Sequence, residues 1–255
     1  MKLMIGNYSA PVIENRVYYM ALENYPELAD YEIKNVLDFI NYETLYGREV
    51  EIVYDNPSIE AVIRKAMTEP EKYLDLIPDK FIYHAASLNT AKRILQSGKL
   101  LSAVNVYGKT GDELAYEKKD SIWNDPADYF EHIMFGWGNS QVGDYVVLSE
   151  GNYGDQIDEV FKAGEHTGIR FYFKYEDLMK HPGHAFDGYH AIKVKDEIEL
   201  SQYLYACIVP EQYKDEIMPF IPEVLKDRFL FLKQKGLGIY EWSEKVYDYL
   251  NHYEI

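Results

Sequence analysis

The sequence predicts an α+β protein: a mixed sheet core with helical segments at the N- and C-terminal ends. Three observations carry this. Short β-prone runs occupy the middle of the 255-residue chain. Amphipathic helical patterns bound them on both sides. The chain is 47% hydrophobic and 15% aromatic, enough apolar surface to offset the chain entropy that keeps disordered segments unfolded.

Three stretches follow from the pattern: a helical-leaning N-terminal segment 1–78, a core 79–215 and C-terminal helices 216–255. Pro26-Glu27 opens a helix with Leu28, Tyr31, Val36, Leu37 and Ile40 on one face, and Gly47 ends it. Residues 48–54 alternate polar and apolar and read as a strand. Asn56-Pro57-Ser58 caps a short helix carrying Ile59, Val62, Ile63 and Met67, and Pro70 begins another. In the core, residues 81–84 are β-prone. Residues 88–97 form a helix with Ala91, Ile94 and Leu95 inward and Gly98 as its left-handed cap. A polar stretch covers 99–120, and Pro126 starts a helix over 127–135. Glycines 136, 138 and 143 space a loop before a strand at 145–148. Loop and helix over 151–162 lead to strands at 169–175, 189–194 and 203–209. The last has the continuous apolar character of a central strand. Pro222 opens a helix with Val224, Leu225, Phe229 and Leu232. Residues 239–250 form the terminal helix, with Trp242, Val246, Tyr249 and Leu250 on one side.

Charge narrows the partners. With 26 basic and 43 acidic side chains the net charge is −17, and the mean field repels polyanions, so duplex nucleic acid and acidic membrane surfaces are disfavoured. A lone cysteine, Cys207, forms no intramolecular disulfide and, inside an apolar run, packs as a small hydrophobe. With no apolar h-region at the N-terminus and no long apolar run, a cytoplasmic location is expected. No P-loop, G-x-G-x-x-G, H-E-x-x-H, C-x-x-C or nucleophile elbow is present. The 25 tyrosines read first as an aromatic-rich core and second as stacking surfaces for a base or a partner.

Four groups of residues bear on chemistry. Tyr83-His84-Ala85-Ala86-Ser87, a helix, and then a run from Ser97 to Ser102 place an imidazole and hydroxyls where each can hydrogen-bond a ribose. The plainer alternative is a strand-end histidine bonded to a neighbouring carbonyl. Trp123 and Trp137 are candidates for a stacking pocket, although Asn124 or Asp125 before Pro126 reads first as a helix N-cap. Tyr107-Gly108-Lys109-Thr110-Gly111, with Lys118 and Lys119, offers amides and an amine to a phosphate, against a plain solvated loop. Lys99, Arg170 and Lys174 add basic side chains toward a small positive pocket. His181, His184, Asp187 and His190 carry metal-ligand chemistry within ten residues, weighed against a rigid solvated loop; no metal is expected.

The first group, continued through Ile94-Leu95-Gln96-Ser97-Gly98-Lys99-Leu100, is similar to the opening of the diphtheria-toxin-like and PARP-like ADP-ribosyltransferase superfamily. That pattern is a strand, a His, a small residue, Ser or Thr, and a helix ending in Gly. Gly143-Asp144-Tyr145-Val146-Val147-Leu148-Ser149 resembles its second motif, a strand with Tyr after a Gly. Ser201-Gln202-Tyr203-Leu204-Tyr205 lies where its third strand begins, with Gln202 in place of the catalytic Glu. The likeness covers about residues 80–215. It implies a mostly antiparallel split sheet of ADP-ribosyltransferase type and NAD as cofactor. It further implies a ribose contact from His84 supported by Ser87, and Tyr145 stacked on the nicotinamide. A carboxylate near Gln202, from Glu199 or Glu197, would stabilise oxocarbenium character. The function expected is binding of NAD or a related nucleotide, with transfer to a protein acceptor or NAD cleavage. The rival is an acidic, non-enzymatic interaction or inhibitor protein for a basic protein partner.

Overall fold

Period-two burial decides the first element. In Lys2–Gly6 the side chains of Leu3 and Ile5 are fully buried, and the segment is a strand. Val17–Ala21 buries Tyr18 and Met20 in the same way and pairs with it in parallel. Glu51–Tyr54 pairs in parallel on the other side of Lys2–Gly6, and Val12–Glu14 adds an antiparallel edge to Val17–Ala21. The helix Asp30–Leu45 supplies the crossover that parallel strands require, burying Ile33, Val36, Leu37 and Phe39. Its first turn is closed by the Glu32 carboxylate, which accepts from the Ala29 amide at 2.7 Å and the Glu23 amide at 2.8 Å. The helical leaning of the N-terminal segment is thus corrected for its first twenty-odd residues, which form strands. The helix Pro57–Ala66 has its Asn56 cap, Oδ1 accepting from the Ser58 amide at 2.9 Å.

This computed structural model describes residues 1–9, 12–14, 16–117, 125–151 and 153–253. It forms two compact units. Unit one combines Met1–Pro78 with Ser102–His132 and Gly183–Lys195; unit two holds Asp79–Leu101, Ile133–Pro182 and Asp196–Ile255. The expected core 79–215 divides between the units, because its segments 102–132 and 183–195 build a charged cluster with the helix Asp30–Leu45, described below. Residues 216–255 belong to unit two.

Unit two is built on five strands in spatial order Phe229–Leu232, Leu204–Pro210, Ile169–Lys174, Phe81–Ala86, His132–Trp137. The outer pair Phe229–Leu232 and Leu204–Pro210 is parallel and the other pairings are antiparallel. The chain is therefore α+β with mixed sheets. Registered residues share a face: Tyr83 opposes Tyr172, which opposes Ala206, and His84 opposes Phe171, which opposes Cys207. On the Tyr83 face, Phe81, Tyr83, Tyr172, Ala206 and Ile208 pack with Leu148, Phe161, Trp242, Val246 and Leu250 from helices Val142–Ser149, Ile157–Ala163 and Ile239–Asn251. Lys99–Leu101 and Glu197–Glu199 form a separate two-stranded ribbon after the helix Leu88–Ser97, which Gly98 caps at φ +72°.

Three expected elements differ. Residues 127–135 give one 3-10 turn, Ala127–Glu131, and then the strand His132–Trp137. Residues 223–232 likewise form a short 3-10 segment, Glu223–Arg228, and enter the strand Phe229–Leu232. Residues 145–148 lie in the helix Val142–Ser149, not in a strand. Among the described residues no helix is long and apolar enough to cross a membrane.

Candidate functional site

His84 lies on Phe81–Ala86, a strand flanked on both sides. The register with His132–Trp137 puts it beside Phe135, and their rings meet edge-on at 6.1 Å. Its Nδ1 is 3.1 Å from the Met134 carbonyl oxygen. A carbonyl only accepts, so Nδ1 carries the proton and donates, leaving Nε2 with its lone pair. This bond is the one that the plainer sequence alternative foresaw. Burial pushes the imidazole below its ordinary value, with the Met134 bond acting the other way, and the ring is neutral at pH 7. The result is a partly buried, oriented acceptor. Ser87 follows at the N-cap of Leu88–Ser97, its hydroxyl 3.1 Å from that of Thr90.

Tyr145 is on the other face. It packs against the cluster of Phe81, Tyr83 and Tyr172, whereas His84 shares its face with Phe171 and Cys207. The expected stacking strand is corrected to a helix for a packing reason. Gly143 donates its amide to the Tyr83 hydroxyl at 3.0 Å, and a Cβ there would lie 2.9 Å from the Ala85 Cβ. That approach lets Asp144, Val147 and Leu148 point inward at helical spacing while Val146 is exposed. Tyr83 is itself interior, its hydroxyl donating to the Ser140 carbonyl at 2.9 Å, so it offers no ligand surface.

Beneath that helix lies a buried ion pair. Arg170 and Asp144 meet through Nη2 and Oδ2, both side chains without solvent exposure. Arg170 Nη1 also donates to the Tyr172 hydroxyl at 3.0 Å and the Ser243 hydroxyl at 3.2 Å. Burial opposes the guanidinium charge, and Asp144, Tyr172 and Tyr83 together outweigh it and hold the group protonated. Arg170 therefore adds nothing to a positive pocket. Nor does Lys99, bound by Glu197 at 2.7 Å and Glu199 at 2.8 Å. Lys174 lies over the Tyr205 ring.

The remaining candidates do not converge. Gln202 is exposed on the helical turn Leu200–Tyr203, before the strand begins. The residue in the row of His84 is Cys207, three strand positions or roughly 10 Å past Leu204. Glu199 ends the small ribbon, tied to Lys99. Trp137 packs on Tyr175 at 5.5 Å. Ser102, Tyr107 and Lys109 belong to unit one. Ser102 stands at the N-cap position of the helix Ala103–Tyr107 with its side chain buried and no cap hydrogen bond from its hydroxyl, Tyr107 is exposed, and Lys109 is paired with Glu117 at 2.6 Å instead of facing a phosphate. Trp123, Lys118, Lys119 and Asn124 lie outside the described residues. Cys207 is buried, and burial pushes its thiol well up.

The histidine-rich segment is used for charge pairing. Among the described residues no group of three or more His, Cys, Asp or Glu side chains is arranged to hold a metal ion. His181 falls in unit two and the others in unit one. Buried Asp187 accepts from the amides of Tyr189 at 3.0 Å and His190 at 2.8 Å, from His190 Nδ1 at 2.8 Å, and pairs with Lys193 Nζ at 3.1 Å. Burial alone would raise this carboxyl, but Lys193 and His190 outweigh it and hold it well below the carboxylate range. The Lys193 ammonium sits 3.5 Å from the Tyr129 ring centre and 3.8 Å from that of Tyr42. The Tyr42 hydroxyl donates to Asp128 at 2.7 Å, and Arg48 bridges Asp128 and Glu43, each at 2.6 Å. Sequence spacing gave no sign of this cluster, whose members lie up to 151 residues apart, from Tyr42 to Lys193.

Comparison with known proteins finds no matching family model, curated protein or solved structure.

Proposed function

We propose that unit two binds NAD or a related nucleotide on the sheet face that carries His84. One observation supports this above the others. The His84 ring is fixed through Nδ1 by the Met134 carbonyl, it is neutral, and its other nitrogen remains an acceptor. Such a nitrogen suits a ribose hydroxyl, and the Ser87 hydroxyl follows three residues on in the strand-to-helix turn. The resemblance to the ADP-ribosyltransferase opening rests on these same residues. Tyr145 has no part in the site, since it packs on the opposite face. The proposal is therefore for binding; transfer of ADP-ribose and cleavage of NAD are arms of the test.

Calorimetric titration with NAD, alongside a nicotinamide-release assay, tests it on the wild type, His84→Ala and Tyr145→Phe. Expected is saturable NAD binding by the wild type and Tyr145→Phe, weakened at least about tenfold in His84→Ala, the scale of a lost buried hydrogen bond. Equal affinity of wild type and His84→Ala, or no NAD binding by the wild type, overturns the proposal. Nicotinamide release by the wild type adds cleavage to binding.

A further inference from the structure

The helix Ile239–Asn251 turns Ile239, Trp242, Val246 and Leu250 into the core of unit two. Its solvent side carries Lys245, Asp248, Tyr249 and His252 at helical spacing. With Tyr253 they line an open hollow of about 570 Å³. The hollow is held in shape. The Tyr253 hydroxyl donates to the Asp227 carbonyl at 2.6 Å, and the Tyr253 carbonyl accepts from the Tyr205 hydroxyl at 2.8 Å. The Tyr249 ring stacks on Tyr253 at 6.0 Å and 28°. His252 Nδ1 donates to the Asp248 carbonyl at 2.7 Å, and in the neutral ring Nε2 is then an acceptor.

The polar groups left over are mainly acceptors. The Asp248 carboxylate has no ion pair or hydrogen bond among the described residues, and His252 Nε2 adds a lone pair. The Tyr249 hydroxyl can donate or accept. The basic group of the lining, Lys245, is turned to the Lys233 carbonyl at 2.7 Å. Two π faces, a carboxylate and an imidazole acceptor match a planar cation rich in donors, and a chain of net charge −17 draws such a cation in. We infer that this hollow receives an arginine side chain of a basic partner protein.

The test is an NMR titration of the full chain with a blocked Gly-Arg-Gly peptide, its citrulline counterpart and free arginine. Variants are Asp248→Asn, Tyr249→Ala and, as a charge control in unit one, Asp112→Asn. The arginine peptide should shift the Tyr249 and Tyr253 ring signals saturably, and the uncharged citrulline peptide should not. Asp248→Asn should weaken binding about tenfold and Tyr249→Ala about threefold. Asp112→Asn, which removes one equal charge elsewhere, should change it less than about twofold. Equal weakening by Asp112→Asn and Asp248→Asn would reduce the effect to net charge and overturn the inference. So would equal binding of the citrulline peptide, tighter binding of free arginine than of the peptide, or no saturable shift.

Discussion

Asp144 and Arg170 show how much one buried charge can decide. Neither side chain reaches water, so each is tolerated only through the other. Asp144→Ala would strand the guanidinium on the Tyr83 ring, 4.8 Å away, with only neutral hydroxyls to bond. A loss of roughly 3–5 kcal/mol in unfolding free energy is expected, the scale for breaking a buried pair from one side. Denaturant titration of Asp144→Ala and of the double change Asp144→Ala, Arg170→Met separates the causes. The double variant should be the more stable, because it leaves no uncompensated charge. A single variant within about 1 kcal/mol of wild type would show that the pair is dispensable. Sequence counts Arg170 as an available cation, and nothing local to it signals otherwise. Its partner sits 26 residues away on a helix that the pattern reads as a strand.

That misread element explains much of what the sequence did not disclose about the site. Val146-Val147-Leu148 is β-prone by composition, and intrinsic preference is a weak guide where a close approach overrides it. Gly143 permits the approach, and Asp144, Val147 and Leu148 then choose the helical face. By contrast the strand at His84, the helix after it and its Gly98 cap were all legible, because they rest on local pattern and cap chemistry. The N-terminal strands were also present as alternation in Leu3, Ile5, Tyr18 and Met20, yet short alternating runs are easily passed over. Gly188 is the position where a loop depends on backbone freedom. It sits at φ +70° and a Cβ would come within 2.0 Å of the Asn35 carbonyl oxygen, while the Tyr18 hydroxyl donates to its carbonyl at 3.0 Å. Gly188→Ala is expected to destabilise unit one by about 2 kcal/mol or more, strain and displacement combined. A melting temperature equal to wild type would show that the segment 183–195 is not locked against the helix.

For the whole molecule the tyrosines set the pH range of stability. Burial foremost raises Tyr18, Tyr42, Tyr83, Tyr129 and Tyr172 above the ordinary value of 10.0. Nearby carboxylates add to this at each: Asp187 at Tyr18 and Tyr129, Asp128 at Tyr42, Asp144 at Tyr83 and Tyr172. Above pH 10 the unfolded chain releases these protons and the folded chain keeps them. The folded state then binds more protons, so stability falls as pH rises. The contribution is complete below the unfolded value and is lost on the way up to each folded value. Each such group costs about 1.4 kcal/mol per pH unit, and five cost about 7. Lys193 works against them, since burial lowers it from 10.5 and its share of stability grows as pH climbs toward that value. One group does not offset five. For a net stability of about 5–15 kcal/mol, the protein should unfold within about one to two pH units above 10. Urea titrations between pH of about 8 and 11, read by far-ultraviolet circular dichroism, measure the slope, and Tyr18→Phe should reduce it by about 1.4 kcal/mol per pH unit. Constant stability across that range, or ordinary titration of the same tyrosines in the folded chain, would place these hydroxyls in water instead of in the core.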